Sequence, residues 1–285
     1  MKELKILIVM VVLVLIGYWG IEPLAHSIMH KHIEEAIHKY NLPDYEYSDL
    51  EPMPHSIKGD AKRGKEAVQM FCTSCHGIKA DNIPAPMDPK TAAESYGVVP
   101  PDLSNLGALL DEKFLYNFLK DPAKATEFPK IAMPAMGLDD QQIMDIIAYM
   151  KSIAKKDMDG KEATIEACGR CHSIKYQKFH TETPPNILKS YLGKVPPDFS
   201  VIHRAKGGEY IVAFVNRPQA LLPGTSMPRI GLNEEATEKI EHYLGEIADP
   251  NKEARTKIGI GVLLYMLVMI GLTYAWKKKM WKGIH

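Results

Sequence analysis

The sequence is short of cysteine and of net charge, and each shortage excludes a class of protein. Its 285 residues include 4 cysteines, all in two short motifs, so none is left for a disulfide framework. Lysine and arginine together number 35, as do aspartate and glutamate, which gives a formal net charge of +0. This balance predicts no nucleic-acid partner. No constellation of nucleophile and general base is recognisable, so we expect no catalysis by the chain alone.

The two cysteine motifs lie at residues 72–76 and 168–172, and each reads Cys-x-x-Cys-His. This is the attachment signature of a c-type haem: two thiols form thioether bonds to one haem, and the next histidine binds its iron. The alternative is a redox or zinc Cys-x-x-Cys followed by a chance histidine, which would have to occur twice. The sequence predicts two covalently bound haem c groups, held by Cys72, Cys75 and His76 and by Cys168, Cys171 and His172.

Landmarks of different kinds recur at a nearly constant offset along the chain. Early pairs are 96 residues apart and late pairs 94, as in Cys72–Cys168, Pro101–Pro197, Phe118–Phe214, Met133–Met227 and Leu138–Leu232. A constant offset indicates a duplicated unit. Asp60 is a predicted helix N-cap, and the apolar spacing after Leu138 predicts an amphipathic helix. We therefore predict two small all-α domains, at 57–156 and 157–248.

A methionine late in each unit is the candidate for the second axial ligand of the iron. Met133 and Met227 each precede a proline, and a thioether sulfur opposite histidine is the arrangement of electron-transfer cytochromes. Methionine also serves as a core filler, which is the alternative. Met136 is a rival to Met133, but its counterpart in the repeat is Ile230. We predict Met133 and Met227 as the ligands.

Three further residues are predicted to belong to the haem environment. The carbonyl groups of Pro101 and Pro197 are expected to accept a hydrogen bond from the ligating histidines and to fix their orientation. Arg204 is a candidate partner for a propionate of the second haem, and the alternative is a solvated surface charge.

Long apolar runs lie near both ends of the chain. The run at 6–21 is either a cleaved signal peptide or an uncleaved anchor; the absence of a small-x-small cleavage site favours the anchor. The run at 258–276 has no charge and predicts a membrane span. Lysines precede the first run and follow the second, so both termini are predicted to be cytoplasmic. Haem c is attached outside the cytoplasm. We therefore expect a protein of the bacterial inner membrane whose haem domains lie in the periplasm.

The remaining boundaries follow from these features. The membrane anchor is predicted at 1–25, a juxtamembrane helix and linker at 26–56, and the second span with a basic tail at 249–285. His26 and His30 have the i,i+4 spacing of a metal pair, but a polar helix face rich in histidine is the plainer interpretation.

Each unit, with its Cys-x-x-Cys-His, Pro-Pro-Asp and Met-Pro segments, resembles a class I cytochrome c domain. The second half resembles cytochrome c1. The resemblance lies in the segment Val-Pro-Pro-Asp-Phe-Ser at 195–200, in Arg204 followed by Gly207, Gly208 and Tyr210, in Met227 and in a terminal membrane span. The whole chain is similar to the dihaem cytochrome c1 subunit of the bc1 complex found in some epsilon-type proteobacteria. It differs from ordinary cytochrome c1, which has one haem and one anchor. The fold expected is all-α: tandem class I cytochrome c domains flanked by N- and C-terminal transmembrane helices.

This resemblance implies a role in a quinol:cytochrome c oxidoreductase. The implied partners are a cytochrome b subunit, a Rieske iron–sulfur subunit and a periplasmic cytochrome c or terminal oxidase, in a dimeric complex. The dihaem subunit of a cbb3-type oxidase is an alternative, although that family has no span after its second domain. A dihaem peroxidase would need one iron with a coordination position free for substrate. The two Met-Pro segments argue against this, because each offers a methionine ligand. A haem-based sensor would need an output domain.

Overall fold

The structure is a computed structural model that describes residues 2–54 and 56–282. All regular secondary structure in these residues is helical, which confirms the predicted all-α fold. The N-terminal region consists of α1 (Lys2–Ile16), a π-helical turn (Gly17–Ile21) and α2 (Glu22–Tyr40). The apolar stretch Lys5–Ala25 is long enough to cross a membrane. The side chains of His26 and His30, on which the metal alternative depends, are not described by the structure.

The first haem-motif unit is built from short helices whose starts are fixed by aspartate caps. Asp60 accepts hydrogen bonds from the main-chain N–H groups of Lys62 and Arg63, so the predicted N-cap is confirmed. Asp139 and Gln142 form a capping box at the start of the last helix. The helices are α3 (Ala61–Phe71), α4 (Pro89–Tyr96), α5 (Leu106–Leu109), α6 (Glu112–Lys120), α7 (Pro122–Ala125) and α8 (Asp140–Ile153).

The second unit repeats this order with α9 (Gly160–Cys168), α10 (Pro185–Leu192), α11 (Ile202–Lys206), α12 (Gly208–Asn216), α13 (Pro218–Leu221) and α14 (Glu234–Ala248). The sequence offset is visible in the elements themselves. The 3₁₀ turn at Lys79–Asp81 recurs at Lys175–Gln177, and the isolated bridge between Ile78 and Ile83 recurs between Ile174 and Phe179. The two units therefore repeat in structure at the offset seen in the sequence.

In each unit the first and last helices cross closely, and a glycine permits the approach. A Cβ atom added to Gly64 of α3 would overlap the main-chain carbonyl of Asp145 in α8. Gly160 of α9 stands in the same relation to Lys239 of α14. The predicted amphipathic helix is confirmed as α8, whose apolar positions are buried: Ile143, Ile146, Ile147 and Met150. This crossing places the haem motif, at the end of the first helix, against the core.

The two units are joined by main-chain hydrogen bonds. Asp111 N–H donates to the carbonyl of Gly231 (2.9 Å), and Asn233 N–H donates to that of Leu109 (2.9 Å). An isolated antiparallel bridge between Leu110 and Leu232 lies between these two bonds. The segment after Met227 of the second unit is thus paired with the segment between α5 and α6 of the first.

The segment at 41–54, expected to be a linker, packs between the two units. Tyr47 is 0% exposed and its hydroxyl donates to the carbonyl of Leu232 at 2.6 Å. Asn117 in α6 accepts from Glu51 N–H and donates to the Glu51 carbonyl. The segment is therefore anchored to the second unit through Tyr47 and to the first through Glu51.

The C-terminal helix α15 (Lys252–Trp281) leaves the second unit after a short turn. Its 30 residues are long and apolar enough to cross a membrane, and its apolar side chains are exposed throughout. The structure thus has one such helical segment near each end of the chain.

Candidate haem-attachment sites

The first motif forms a tight turn at the end of α3. The N–H groups of Cys75 and His76 both donate to the carbonyl of Cys72, at 3.1 and 2.9 Å. This turn brings the two thiols and the imidazole to the wall of one cavity of about 500 Å³. A single turn of chain therefore presents all three groups that the haem signature requires.

A proline carbonyl orients the histidine of this motif. His76 Nδ1 lies 2.8 Å from the carbonyl oxygen of Pro101. Because a carbonyl only accepts, Nδ1 carries the proton and Nε2 keeps its lone pair. Burial lowers the pKa of His76, so the ring is neutral at physiological pH. The ring is prepared to bind a metal through Nε2.

The second motif repeats this geometry. The N–H groups of Cys171 and His172 donate to the carbonyl of Cys168 at 3.1 and 2.9 Å, and His172 Nδ1 lies 2.8 Å from the Pro197 carbonyl oxygen. The His172 ring stacks on Phe199 with centroids 4.0 Å apart. Burial lowers the pKa of His172 to about 4, so this ring too is neutral. The contact expected between each proline carbonyl and its histidine is present in both units.

Burial of Cys72 and Cys168 disfavours the thiolate form, which is the form that binds a metal. Burial raises the pKa of Cys72 to about 11 and that of Cys168 to about 12. Structural zinc is normally held by four ligands drawn from thiolate, imidazole and carboxylate. Among the side chains that the structure describes, no group of three or more histidine, cysteine, aspartate or glutamate residues lies together. The zinc alternative thus lacks a ligand set in the described structure.

The walls of the first cavity fit a flat, largely apolar ring. Apolar side chains line most of it, among them Val98, Leu103, Leu106, Leu115, Phe118 and Leu119. Its volume lies in the range of pockets that bind cofactors and small molecules, about 300–1,000 Å³. With Cys72, Cys75 and His76 in the same wall, the residues present fit a haem c.

Both candidate methionines of the first unit lie at the cavity. Met133 and Met136 each line it, and Met133 also packs against the first core. Met227 packs against the second core together with Cys168. The assignment of Met133 and Met227 as iron ligands remains a prediction, for which the repeat is the argument.

Six residues from the second half also line the first cavity: Glu166, Ala167, Arg170, Pro228, Arg229 and Ile230. Three of them are charged, namely Glu166, Arg170 and Arg229, and no motif in the sequence indicated that they would lie there. Spacing along the chain does not reveal contacts between repeats. Arg204, predicted to lie near the second haem, is exposed on α11 and is not among the residues lining the first cavity.

Comparisons with known proteins point to one family. The family model described as cytochrome c matches residues 61–154. The chain is 30% identical over 107 residues to cytochrome c of Tetrahymena pyriformis, covering 36% of this chain and 97% of that protein. It is 29% identical over 192 residues to the ammonia monooxygenase gamma subunit of Nitrosomonas europaea, covering 44% of this chain and 82% of that protein.

Among solved structures, a chain of a hyperthermophilic respiratory Complex III is similar at 23% identity and a TM-score of 0.37, covering 44% of this chain and 75% of that one. That likeness is too distant to carry an argument. The Tetrahymena protein, in contrast, is matched over 97% of its length. The matched family model spans the first motif and the helices that surround its cavity. On the strength of this relative and of the family model, the chain belongs to the cytochrome c family.

Proposed function

We propose that this chain is a membrane-anchored dihaem c-type cytochrome that carries electrons in a quinol:cytochrome c oxidoreductase of the bc1 type. The observation that carries the proposal is the duplicated site. At both motifs a histidine Nδ1 lies 2.8 Å from a proline carbonyl oxygen, and the two motifs are 96 residues apart. A second motif kept only as a remnant would not need to preserve this orienting bond.

Cys72, Cys75, His76 and Met133 would hold one haem c. Cys168, Cys171, His172 and Met227 would hold the other. The corresponding domains are 57–156 and 157–248, preceded by an anchor at 1–25 and a packed connection at 26–56 and followed by a membrane segment at 249–285. When bound, haem c supplies an iron that gains and loses one electron.

The protein's own residues prepare each site for this exchange. The carbonyl groups of Pro101 and Pro197 hold the rings of His76 and His172 in one orientation. These rings therefore need to move little when the iron gains or loses an electron. The thioether sulfur of methionine favours the reduced metal and raises its potential. The apolar walls, such as Leu103 and Leu115, exclude water from the first site. Together these features favour electron transfer over substrate chemistry at the metal.

The assignment to a bc1-type complex is supported by the second half and by the termini. Its Pro-Pro-Asp segment, Arg204, Met227 and the terminal span follow the order of cytochrome c1. The helices Lys5–Ala25 and Lys252–Trp281 fit an inner-membrane anchor, and the lysines at their ends fit cytoplasmic termini with periplasmic haem domains. The chain would accept electrons from a Rieske iron–sulfur subunit beside a cytochrome b subunit. A periplasmic cytochrome c or a terminal oxidase would receive them, in a dimeric complex.

The test is a purification of the full chain from membranes in mild detergent, through a tag after residue 285. We expect a cytochrome b and a Rieske protein in stoichiometric amounts, together with quinol:cytochrome c reductase activity. Recovery of a copper–haem oxidase subunit instead would move the chain to a terminal oxidase. Recovery of the chain alone, with peroxidase activity, would overturn the electron-carrier role.

The number of haem groups is tested separately on the same material. The mass of the denatured chain should exceed that of the polypeptide by two haem groups. A variant with Cys168→Ala and Cys171→Ala should retain one, as should the matched variant with Cys72→Ala and Cys75→Ala. An intact chain carrying one haem would refute the dihaem assignment.

A further inference from the structure

Arg170 belongs to the second haem motif but lies at the first cavity. It stands between Cys168 and Cys171, and its side chain lines the cavity that also contains Cys72 and His76. Glu166 and Ala167, from the preceding turn of α9, line the same wall. The C-terminal end of α9 and the second attachment loop are therefore part of the first site.

The guanidinium of Arg170 has no protein partner for one of its buried donors. Its Nε is buried and makes no hydrogen bond. Among the described residues, the ion pairs formed by arginines do not include Arg170. A buried donor on a charged group is costly when it stays unpaired, so a partner is expected at this position.

Arg229, the other arginine of the cavity wall, shows how such a group is normally satisfied. Its Nη1 and Nη2 donate to Asp49 at 2.8 and 3.0 Å, and its Nε donates to the carbonyl of Asn216 at 2.9 Å. Arg229 is thus fully engaged within the protein. Arg170 is the cavity arginine with a donor left over.

We propose that Arg170 binds a carboxylate of the haem that Cys72, Cys75 and His76 hold, so that the second attachment loop completes the first haem site. A haem carries two propionate carboxylates, and a guanidinium presents a planar fork of donors that matches a carboxylate. A propionate carboxylate would accept the hydrogen bond that the Nε of Arg170 does not make within the protein. This inference rests on the proposed presence of haem at the first motif, and it assigns to the second repeat a role in the potential of the first haem.

The experiment uses the full chain in detergent, with Arg170→Gln, Arg170→Lys and a control, Lys175→Gln. Lys175 is an exposed cation just after the second motif, and it is not part of the cavity wall. Haem content is measured first by mass, and the two midpoint potentials are then measured by spectroelectrochemical titration at several pH values. Met133→Leu identifies which potential belongs to the first centre.

Loss of the positive charge should favour the oxidised state of the first centre by about tenfold, which corresponds to 59 mV for a one-electron couple. The potential of that centre should also depend more on pH in the acidic range, because the unpaired carboxylate has a higher pKa. Arg170→Lys keeps the positive charge but loses the planar pair of guanidinium donors. We therefore expect a smaller shift in the potential of the first centre.

Two results would overturn the inference. One is a fully loaded Arg170→Gln protein whose first potential shifts no more than that of Lys175→Gln. The other is a shift confined to the second centre, which would mean that Arg170 serves its own motif. If Arg170→Gln fails to load, the potentials of the loaded Arg170→Lys protein decide by the same two criteria. Absence of haem at Cys72 and Cys75 in the wild-type protein is a separate result, which counts against the proposed function.

Discussion

Asp49 and Arg229 are 180 positions apart in the chain and form a two-pronged ion pair at 2.8 and 3.0 Å. The Arg229 side chain is 0% exposed, and its guanidinium also lies over the Tyr47 ring, 4.6 Å from the centroid. Its main-chain N–H donates to the carbonyl of Thr126 in the first unit. One residue therefore joins the segment at 41–54 to both repeats.

Replacing Asp49 should destabilise the folded protein strongly. Asp49→Ala leaves the buried Arg229 without its counter-charge, which costs about 3 kcal/mol. Thermal unfolding of the haem-loaded chain in detergent, followed by circular dichroism, should show a clearly lower midpoint. The control is Glu51→Gln, which breaks an exposed pair with Lys124 and should leave the midpoint nearly unchanged. Equal effects of the two substitutions would contradict the role given to Arg229.

The same pair should contribute to acid sensitivity. Burial of Asp49 opposes its ionisation, but the hydrogen bonds and charge of Arg229 prevail and hold its pKa below the usual 3.8. A lowered folded pKa gives stability that is present above the unfolded pKa and is lost as pH falls through the folded one. Between neutral pH and about pH 3, Asp49→Asn should therefore lose less stability than the wild type. Melting midpoints measured across this range test the difference, and parallel curves would refute it.

Met227→Leu tests the second axial ligand. The haem should stay attached, because the cysteines are intact, while the potential of one centre falls and its iron becomes able to bind carbon monoxide. Redox titration and absorbance spectra under carbon monoxide measure both effects. Binding of carbon monoxide at the wild-type level would show that Met227 is not the ligand.

Met133 and Met136 offer a matched comparison, because both line the first cavity. We expect Met133→Leu to lower the potential of the first centre and to open its iron to carbon monoxide, whereas Met136→Leu leaves both properties near those of the wild type. The reverse pattern would assign the ligand to Met136 and show that the repeat is a poor guide at this position.

Gly64→Ala tests the crossing of α3 and α8. The added methyl group meets the Asp145 carbonyl, so the helices must separate at a cost of about 1–3 kcal/mol. Gln69→Ala, an exposed change on the same helix, is the control and should cost less than about 0.5 kcal/mol. Denaturant unfolding of the full chain measures the free energy of unfolding of the two variants. A neutral Gly64→Ala would show that the crossing is looser than described.

The parts of the structure that follow from local pattern were predictable. The spacing of Ile143, Ile146 and Ile147 predicted helix α8, and Asp60 predicted the start of α3. The offset between Cys72 and Cys168 predicted a repeat, which the order of the helices reproduces. Each of these signals depends on residues close in sequence or on identical landmarks.

The contacts between repeats were not predictable in this way. The hydrogen bond from Asp111 to Gly231, the burial of Tyr47 and the place of Arg170 in the first cavity all join residues far apart in sequence. Neither periodicity nor motif spacing encodes which faces of two similar units meet. Arg204, predicted to lie near the second haem, stays a prediction.

The pairing of Leu110 with Leu232 has a consequence for the passage of electrons between the proposed centres. Two redox groups joined by a flexible tether exchange electrons only when diffusion brings them together, so their rate falls in a viscous medium. Here main-chain hydrogen bonds on either side of that bridge hold the two units in one register. For the two proposed haem groups, the tunnelling distance would then be a constant of the fold, and we expect electron exchange between them to be independent of solvent viscosity.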